Sequence, residues 1–321
     1  MPESKNKKVP VVAVVGPTAS GKTALAVAIA KEIGGEVISA DSMQIYKKMQ
    51  IATAKPTVEE MQGVPHHLID FLPMGQEFSV ADYAELAHKA AADIFARGKT
   101  PVFCGGTGLY LDAVLNNVKF SEGSQSDEIN ARLKAELEQF GAEHMLQKLA
   151  EVDAESAVRL AAEKNPRRIL RALEVYETTG VTLTQHNADS KQQTPYSAVK
   201  IGLGYKDRAN LYARINTRVD LMLQNGLVEE AQQVLGESLG KTSAMAIGYK
   251  ELQPYFSGEL SLEECIENLK QQTRRYAKRQ LTWFKRDAEI KWFFVDEHKS
   301  GQTLIDDALE YAKEKLLLLR D

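Results

Sequence analysis

The chain has 321 residues, 44% of them hydrophobic and 26% charged, with a formal net charge of −4. These values are ordinary for a globular protein, and no stretch approaches the roughly 18 apolar residues that span a bilayer, so we expect a cytoplasmic protein without membrane contact. The negative balance argues against indiscriminate nucleic-acid binding, so any such binding must use local basic patches.

Strand-like and helix-like segments alternate through the first 118 residues. The pattern predicts a strand over Val11–Val15, a helix over 22–33, a strand over Glu36–Ala40, a helix over 80–97 and a strand over Pro101–Cys104. Such alternation is typical of a parallel sheet with helices on its faces, so the expected fold class is α/β. A chain of this length usually adds a smaller appendage to its main core.

The pattern changes at about Phe120, where a polar loop is followed by helical periodicity over residues 127–178. Apolar side chains recur there at helical spacing, at Ile129, Leu133, Leu137 and Phe140. A strand-like run returns at residues 197–204. We therefore predict a core formed by residues 1–119 and 197–321, with a mostly helical insertion over residues 120–196. Because residues 16–23 of this core match the phosphate-loop pattern G-x-x-x-x-G-K-[ST], we expect the core to be P-loop NTPase-like.

The first predicted strand leads directly into the phosphate-loop pattern G-x-x-x-x-G-K-[ST], followed by a helix. Glycines let backbone N–H groups converge on phosphate oxygens, and the helix dipole favours an anion at its N-terminus. Lys22 supplies a charged donor and Thr23 a hydroxyl ligand for Mg²⁺. The sequence thus predicts phosphate or diphosphate binding by Gly16, Pro17, Thr18, Ala19, Ser20, Gly21, Lys22 and Thr23.

Asp41 follows the second predicted strand, at the edge of an α/β sheet where ligands bind. A carboxylate at this place has three possible roles. It can act as a general base, it can hold Mg²⁺ through water, or it can cap the backbone segment that follows. Position alone leaves these alternatives open.

The third strand ends in Cys104-Gly105-Gly106-Thr107-Gly108 rather than in the Asp of a Walker B motif. The missing acid argues against an ordinary ATPase. Glycines around one threonine predict close backbone approach to a ligand, with Thr107 as a hydrogen-bonding group beside Asp41. The alternative is a tight strand-to-helix turn.

Two basic stretches are candidates for contact with a polyanion. Arg167 and Arg171 share a face of one predicted helix, and residues 273–286 combine six cations with aromatic side chains and no acid. Such patches suit a nucleic-acid backbone, although solvated faces and aromatic anchors to the core are equally ordinary interpretations.

An ordered set of motifs between about residue 10 and residue 295 resembles the bacterial tRNA dimethylallyltransferase family. The set comprises Gly16–Thr23, Asp41–Tyr46, Thr53–Pro56, Pro65–Asp70, Gly105–Thr107, Arg167–Arg171, Ala246–Lys250 and Ala277–Gln280. The resemblance implies transfer of a dimethylallyl group from its diphosphate to N6 of adenosine 37, just 3′ of a tRNA anticodon. The phosphate loop would then hold the leaving diphosphate, with Mg²⁺ as the cofactor.

The resemblance also implies roles for single residues. Asp41 would be the base, Thr107 would assist near the reacting atoms, and Arg218 would help to bind the diphosphate. Ser42, Met43 and Gln44 would contact the inserted nucleotide, where the amide of Gln44 suits an adenine edge. The implied tRNA contacts are Arg167, Arg168, Ile169, Leu170, Arg171, Met245, Ala246, Ile247, Gly248, Tyr249, Lys250 and Lys278, although Met245-Ala246 stands where relatives often carry a basic residue.

A stacked adenosine could not reach a cleft at the sheet edge, so we expect the base to flip out of the anticodon loop. The expected partners are tRNA and dimethylallyl diphosphate, and the expected state is a monomer. Rival hypotheses are a small-molecule kinase, a prenyltransferase acting on free AMP or ADP, and an ATP-dependent RNA-binding switch.

Overall fold

The computed structural model describes residues 8–117, 127–185 and 193–320. The chain forms two compact units. The core unit comprises Met1–Leu115 and Thr194–Asp321, and the helical unit comprises Asn116–Gln193. In the described part of the chain, no helix is long and apolar enough to cross a membrane.

A parallel sheet forms the centre of the core unit. Its strands are β1 (Val9–Val15), β2 (Gly35–Ser39), β3 (His66–His67), β4 (Thr100–Gly105), β5 (Tyr196–Gly204) and β6 (Lys291–Phe294), in the order β3-β2-β4-β1-β5-β6. Each neighbouring pair is parallel. The predicted α/β class is confirmed, and all six carboxyl ends lie at one edge, where ligands of such sheets bind.

Helices connect the strands and form the second unit. They are α1 (Lys22–Ile33), α2 (Val58–Met61), α3 (Val80–Ala96), α4 (Gly108–Leu115), α5 (Asp127–Val152), α6 (Ala154–Glu163), α7 (Pro166–Thr179), α8 (Arg208–Gln224), α9 (Leu227–Leu235), α10 (Gln253–Phe256), α11 (Leu262–Phe284) and α12 (Gly301–Arg320). Short 3₁₀ turns lie at Ser243–Met245 and Val295–Glu297. The predicted strand and helix boundaries in the first 118 residues agree with the observed ones within two residues.

Apolar side chains explain how the core unit packs. On one face of the sheet, Leu25 and Ile29 of α1 meet Leu304 and Ala308 of α12 in one buried cluster with the strands. A second cluster joins the segment after β2 to α9 and the first half of α11. Burial of these apolar surfaces, at about 25 cal/mol per Å², holds the loops of the carboxyl edge on a rigid base.

The helical unit has its own core. Leu133 of α5 is fully buried there, and Ile129 and Leu137 pack against the same cluster, as their spacing predicts. Phe140, which continues the same spacing, is 54% exposed. The reason is a break in α5 at Gly141, where φ is 80° and the helical periodicity is interrupted.

Candidate active site

Three loops meet at the carboxyl edge because their strands, β2, β4 and β1, are neighbours in the sheet. The segment after β2 begins at Ala40, whose carbonyl accepts a 3.1 Å hydrogen bond from Thr107 N. The Thr107 hydroxyl in turn accepts a 3.1 Å bond from Ser42 N. These contacts place Thr107 next to the segment that carries Asp41, as the sequence predicts.

The loop between β1 and α1 has the backbone shape of a phosphate cradle. Gly16 has φ 144°, Ala19 φ 63° and Gly21 φ 91°, all in conformations that an L side chain rarely adopts. A Cβ at Gly16 would lie 2.4 Å from the carbonyl oxygen of Leu203, so only glycine fits at this position. Ser20 Oγ is buried without a hydrogen-bond partner among the described residues, which leaves a polar atom free for a ligand.

Lys22 and Arg218, the cations at this loop, form no ion pair with a carboxylate that the structure describes. Lys22 Nζ donates a 2.6 Å hydrogen bond to the carbonyl of Pro17, and Arg218 lies 3.4 Å from the Thr18 hydroxyl. Desolvation is the main cause that lowers the pKa of Lys22 to about 8; the charge of Arg218 acts in the same direction, and that of Asp41 opposes it. Burial also lowers the pKa of Arg218. Both groups are thus buried cations whose charge a bound anion would compensate.

Asp41 uses its two carboxylate oxygens differently. Oδ1 accepts hydrogen bonds from Met43 N at 2.9 Å and Gln44 N at 3.3 Å. Oδ2 makes no hydrogen bond or ion pair to any residue that the structure describes. The capping role that the sequence left open is therefore present, and it orients the carboxylate while one oxygen stays available for a proton or a metal-bound water.

The glycines at the end of β4 and just after it pack closely against other parts of the protein. A Cβ at Gly105 would lie 2.1 Å from the carbonyl oxygen of Ala40. At Gly106 it would lie 2.0 Å from Nε2 of Gln280, and at Gly108 it would lie 2.2 Å from Trp283. The segment is thus a tight strand-to-helix turn that also presents Thr107 to the site.

Gln44 already uses its side-chain amide inside the protein. Nε2 donates to the carbonyls of Thr53, at 3.2 Å, and Ala54, at 3.1 Å, while Oε1 accepts a bond from Ser39 Oγ at 3.3 Å. Both amide hydrogens are therefore engaged, and an adenine contact would be limited to the remaining lone pair of Oε1 or to the backbone.

Comparisons with known proteins decide the family. The model of the IPP transferase family matches residues 44–287. The chain belongs to this family. A tRNA dimethylallyltransferase of Caldanaerobacter subterraneus subsp. tengcongensis is 49% identical over 310 residues, covering 95% of this chain and 98% of that protein. The Bacillus subtilis tRNA dimethylallyltransferase is 47% identical, covering 90% of this chain and 91% of that protein.

Solved structures agree with this assignment. The full-length tRNA isopentenylpyrophosphate transferase of Bacillus halodurans matches with a TM-score of 0.73 and 41% identity, covering 98% of each chain. A eukaryotic dimethylallyltransferase acting on tRNA matches with a TM-score of 0.75 and 28% identity, over 92% of this chain and 75% of that one. The protein is therefore a transferase with the P-loop-like fold of this family, and the kinase alternative is not favoured.

In this IPP transferase, only part of the 245–250 segment faces solvent. Ala246 and Tyr249 are 1% and 2% exposed, so these two side chains pack in the core and do not reach RNA directly. Met245 is 57% exposed, and the Lys250 side chain is partly exposed beside Glu251. Ile247 packs against the core. Gly248, with φ 110°, makes the turn between Ile247 and Tyr249.

A carboxylate that the sequence did not reveal holds the neighbouring turn. Glu230 of α9 accepts hydrogen bonds from the backbone N–H groups of Gln50, Ile51 and Ala52, at distances between 2.8 and 3.0 Å. It also accepts a 2.9 Å bond from the Tyr249 hydroxyl. Glu230 thus joins the segment after β2 to the 245–250 segment. Since the backbone groups that it holds lie about 180 positions away in sequence, no local pattern could have indicated it.

The basic helix α7 of the helical unit separates into two faces. Ile169 and Leu170 are 2% and 5% exposed, so their predicted contact with tRNA is corrected: both side chains belong to the core of that unit. Arg168 pairs with Glu163 at 2.5 Å and Arg171 with Glu174 at 2.9 Å. Arg167 is exposed and has no ion pair with a described residue.

The second basic stretch lies on α11, where Lys278 is exposed and forms no ion pair with the described part of the chain. A cavity of about 160 Å³ adjoins it. Its walls carry the cations Lys206, Arg208, Lys278 and Lys285 and the rings of Tyr205, Tyr212, Trp292 and Phe294. Positive charge next to aromatic rings is the combination with which proteins bind single-stranded nucleic acid.

The fit of a metal ion rests on the phosphate loop. Within residues 8–117, 127–185 and 193–320, no group of three or more His, Cys, Asp or Glu side chains could hold a metal by itself. A hard cation such as Mg²⁺ would therefore take oxygen ligands from Thr23, from Asp41 through water and from the bound diphosphate. Such a cation would need its anionic ligand to bind.

Proposed function

We propose that this protein transfers a dimethylallyl group from dimethylallyl diphosphate to N6 of the adenosine just 3′ of a tRNA anticodon and releases diphosphate. The observation that carries the proposal is that two features lie at the same edge of the sheet. One is the phosphate loop with its buried cation Lys22. The other is Asp41, which follows the strand next to that of Thr107 and whose Oδ2 has no described hydrogen-bond partner. The names of relatives that are 47% to 49% identical support the same substrates.

The phosphate loop would stabilise the leaving group. As the allylic C–O bond ionises, negative charge moves to the diphosphate, and Lys22, Arg218 and the amides of the loop interact with it more strongly than in the ground state. Each charge-assisted hydrogen bond of this kind contributes about 1.5–3 kcal/mol. Mg²⁺ held at Thr23 would supply further positive charge to the same oxygens.

Asp41 would accept the proton of the exocyclic amine. That amine is weakly basic, so proton removal is expected as the C–N bond forms, with Oδ2 as the acceptor. The two amide bonds to Oδ1 hold the carboxylate in orientation. Thr107, which is bonded to Ser42, would assist beside the amine. General base catalysis of this type contributes roughly 10²–10⁴-fold.

The protein would act as a monomer in the cytoplasm. It would bind tRNA with the adenosine flipped into the cleft at the carboxyl edge. Exposure limits the candidate contacts among the predicted residues to Arg167, Arg168, Arg171, Met245, Lys250 and Lys278. The five cations among them would contact phosphates and fix orientation, while the cleft selects the adenosine.

The test is to incubate the protein with Mg²⁺, labelled dimethylallyl diphosphate and unmodified tRNA, digest the tRNA and separate the nucleosides. The proposal predicts labelled N6-prenyl-adenosine from tRNA and no product from AMP or ADP. Labelled AMP or ADP would show that the acceptor is a free nucleotide and not tRNA. Phosphate transfer from ATP without prenyl transfer would contradict the proposal and favour a kinase.

A further inference from the structure

One buried side chain links the two loops on which the proposed reaction depends. Gln280 of α11 is 5% exposed. Its Oε1 accepts a 2.8 Å hydrogen bond from Thr18 N in the phosphate loop, and its Nε2 donates a 3.0 Å hydrogen bond to the carbonyl of Gly106. The same amide therefore binds the diphosphate loop on one side and the backbone next to Thr107 on the other.

The Gln280 amide lies so close to the backbone at residue 106 that only certain residue types fit there. A side chain at residue 106 would place its Cβ 2.0 Å from Gln280 Nε2, so glycine is needed there for the link to form. Ala277, one turn earlier on α11, packs with Ala19 of the phosphate loop. Trp283, three residues later, fills the space over Gly108 and donates a 2.9 Å bond to Asp112. One face of α11 thus fixes both loops.

The link also removes Thr18 N–H from the set of phosphate donors, because that hydrogen already points to Gln280. Gln280 itself is too buried to contact RNA, although it adjoins the exposed cations Lys278 and Arg279. Its two hydrogen bonds span residues separated by 262 and 174 positions. Neither an RNA contact nor a diphosphate contact explains an amide in this position.

We propose that Gln280 is a positioning residue that sets the distance between the diphosphate in the phosphate loop and the acceptor amine at Asp41 and Thr107. The proposal rests on the proposed function. A displacement transfer needs its reacting atoms at about 3–3.5 Å, and a misplacement of 1 Å costs roughly 10²-fold in rate. Gln280 acts through the loops and touches neither substrate.

The test compares Gln280→Met with Gln272→Met. Methionine keeps the length of the side chain but removes both hydrogen bonds. Gln272 lies on the same helix, where its amide donates a 3.1 Å hydrogen bond to Asn268 and to no other described residue, so it controls for the loss of a polar group on α11. We expect kcat for tRNA prenylation to fall about 10- to 100-fold in Gln280→Met. The dissociation constant for tRNA should stay within about threefold, and Gln272→Met should match the wild type.

Other outcomes would overturn the proposal. A normal kcat in a Gln280→Met protein with a lowered melting temperature would leave Gln280 a purely structural role. Weaker tRNA binding at normal kcat would make it part of the RNA surface. Should Gln280→Met not fold, Gln280→Glu serves instead, because a carboxylate still accepts from Thr18 N but has no hydrogen for Gly106; it too must lower kcat.

Failure of the proposed function has a different signature. If wild-type protein makes no prenylated tRNA, that function is wrong whatever the variants do. The hydrogen bond from Thr18 N to Gln280 can then still be tested by measuring the hydrogen-exchange rate of the Thr18 amide. We expect this amide to exchange at least about tenfold faster in Gln280→Met and unchanged in Gln272→Met; equal rates would contradict the link.

Discussion

A carboxylate lies near each end of strand β2, and the two differ in how far other side chains compensate their charge. Near the amino end, Glu36 accepts hydrogen bonds from Arg97 at 2.5 and 2.8 Å, from Lys99 at 2.7 Å and pairs with His67 at 2.7 Å. Beyond the carboxyl end, Asp41 keeps one oxygen free beside the phosphate loop.

The pKa values express the same contrast. Hydrogen bonding from Arg97, opposed by burial and aided by Lys99 and His67, holds the pKa of Glu36 far below its ordinary range. At the phosphate loop, desolvation lowers the pKa of Lys22 to about 8 and lowers that of Arg218, so the charged forms are disfavoured there. The Glu36 cluster is complete within the protein, whereas the loop cations would gain an anionic partner only in the proposed complex with diphosphate. Incomplete compensation therefore marks the functional end.

The largest effect is expected from Asp41→Asn. The asparagine oxygen can still accept the Met43 and Gln44 amides, so the turn should keep its shape while the base is lost. We expect tRNA prenylation to fall by at least about 10²-fold with tRNA affinity retained, measured by single-turnover kinetics and filter binding.

The control for that variant is Asp207→Asn, because Asp207 also accepts a backbone amide, that of Ala209 at 2.8 Å, as the cap of a helix. It should prenylate at the wild-type rate. Near-normal turnover in Asp41→Asn would remove Asp41 from the mechanism.

Lys22→Met should separate function from stability. The variant loses a charge-assisted bond of about 1.5–3 kcal/mol, so affinity for inorganic diphosphate should fall roughly 10- to 150-fold in calorimetry. Since the folded protein disfavours the charged lysine, the melting temperature should stay the same or rise.

Lys99→Met is the matched change at the other end of β2. It removes a cation from the Glu36 cluster, so the melting temperature should fall while diphosphate affinity is unchanged. The contrast between the two ends is wrong if both lysine variants change the same property.

Glu36→Gln should produce the smallest effect on activity and a clear loss of stability. The change removes the carboxylate that Arg97 and Lys99 share, although Arg97 keeps its pair with Asp93. Because these cations are 40% and 44% exposed, we expect a loss of only about 1–3 kcal/mol in the free energy of unfolding. Denaturant titration measures it.

The pH dependence of that loss has a defined sign. The folded pKa of Glu36 lies below the unfolded value of 4.5, so its contribution is complete above that pH and declines as the solution becomes more acidic. The difference between wild type and Glu36→Gln should therefore shrink below about pH 4. A constant difference down to pH 3 would contradict the compensation assigned to this cluster.

The parts of the molecule that sequence predicts well are those with local causes. Alternation of strands and helices reveals the sheet, and eight consecutive residues define the phosphate loop. The errors come from contiguous motifs read as contact surfaces: Ile169 and Leu170 are next to Arg168 in sequence but face the core, since a helix turns by about 100° per residue.

Contacts between distant segments could not be predicted. Gln280 and Gly106 are 174 positions apart, and the reason for that glycine appears only when α11 lies across the loop. The same holds for the turn at residues 50–52, which Glu230 holds from α9. A single sequence shows that glycines are present; the tertiary structure shows which parts of the protein pack against them.

The most direct test of the diphosphate site is proton uptake on binding of inorganic diphosphate with Mg²⁺, measured by calorimetry in buffers of different ionisation enthalpy. Because the pKa of Lys22 in the free protein is lowered to about 8 and a bound anion raises it, we expect proton uptake to increase and affinity to fall as the pH passes 8. Lys22→Arg, which stays charged, corrects for the ionisation of the diphosphate itself and should show no such step. Identical pH profiles for the wild type and Lys22→Arg would contradict the account.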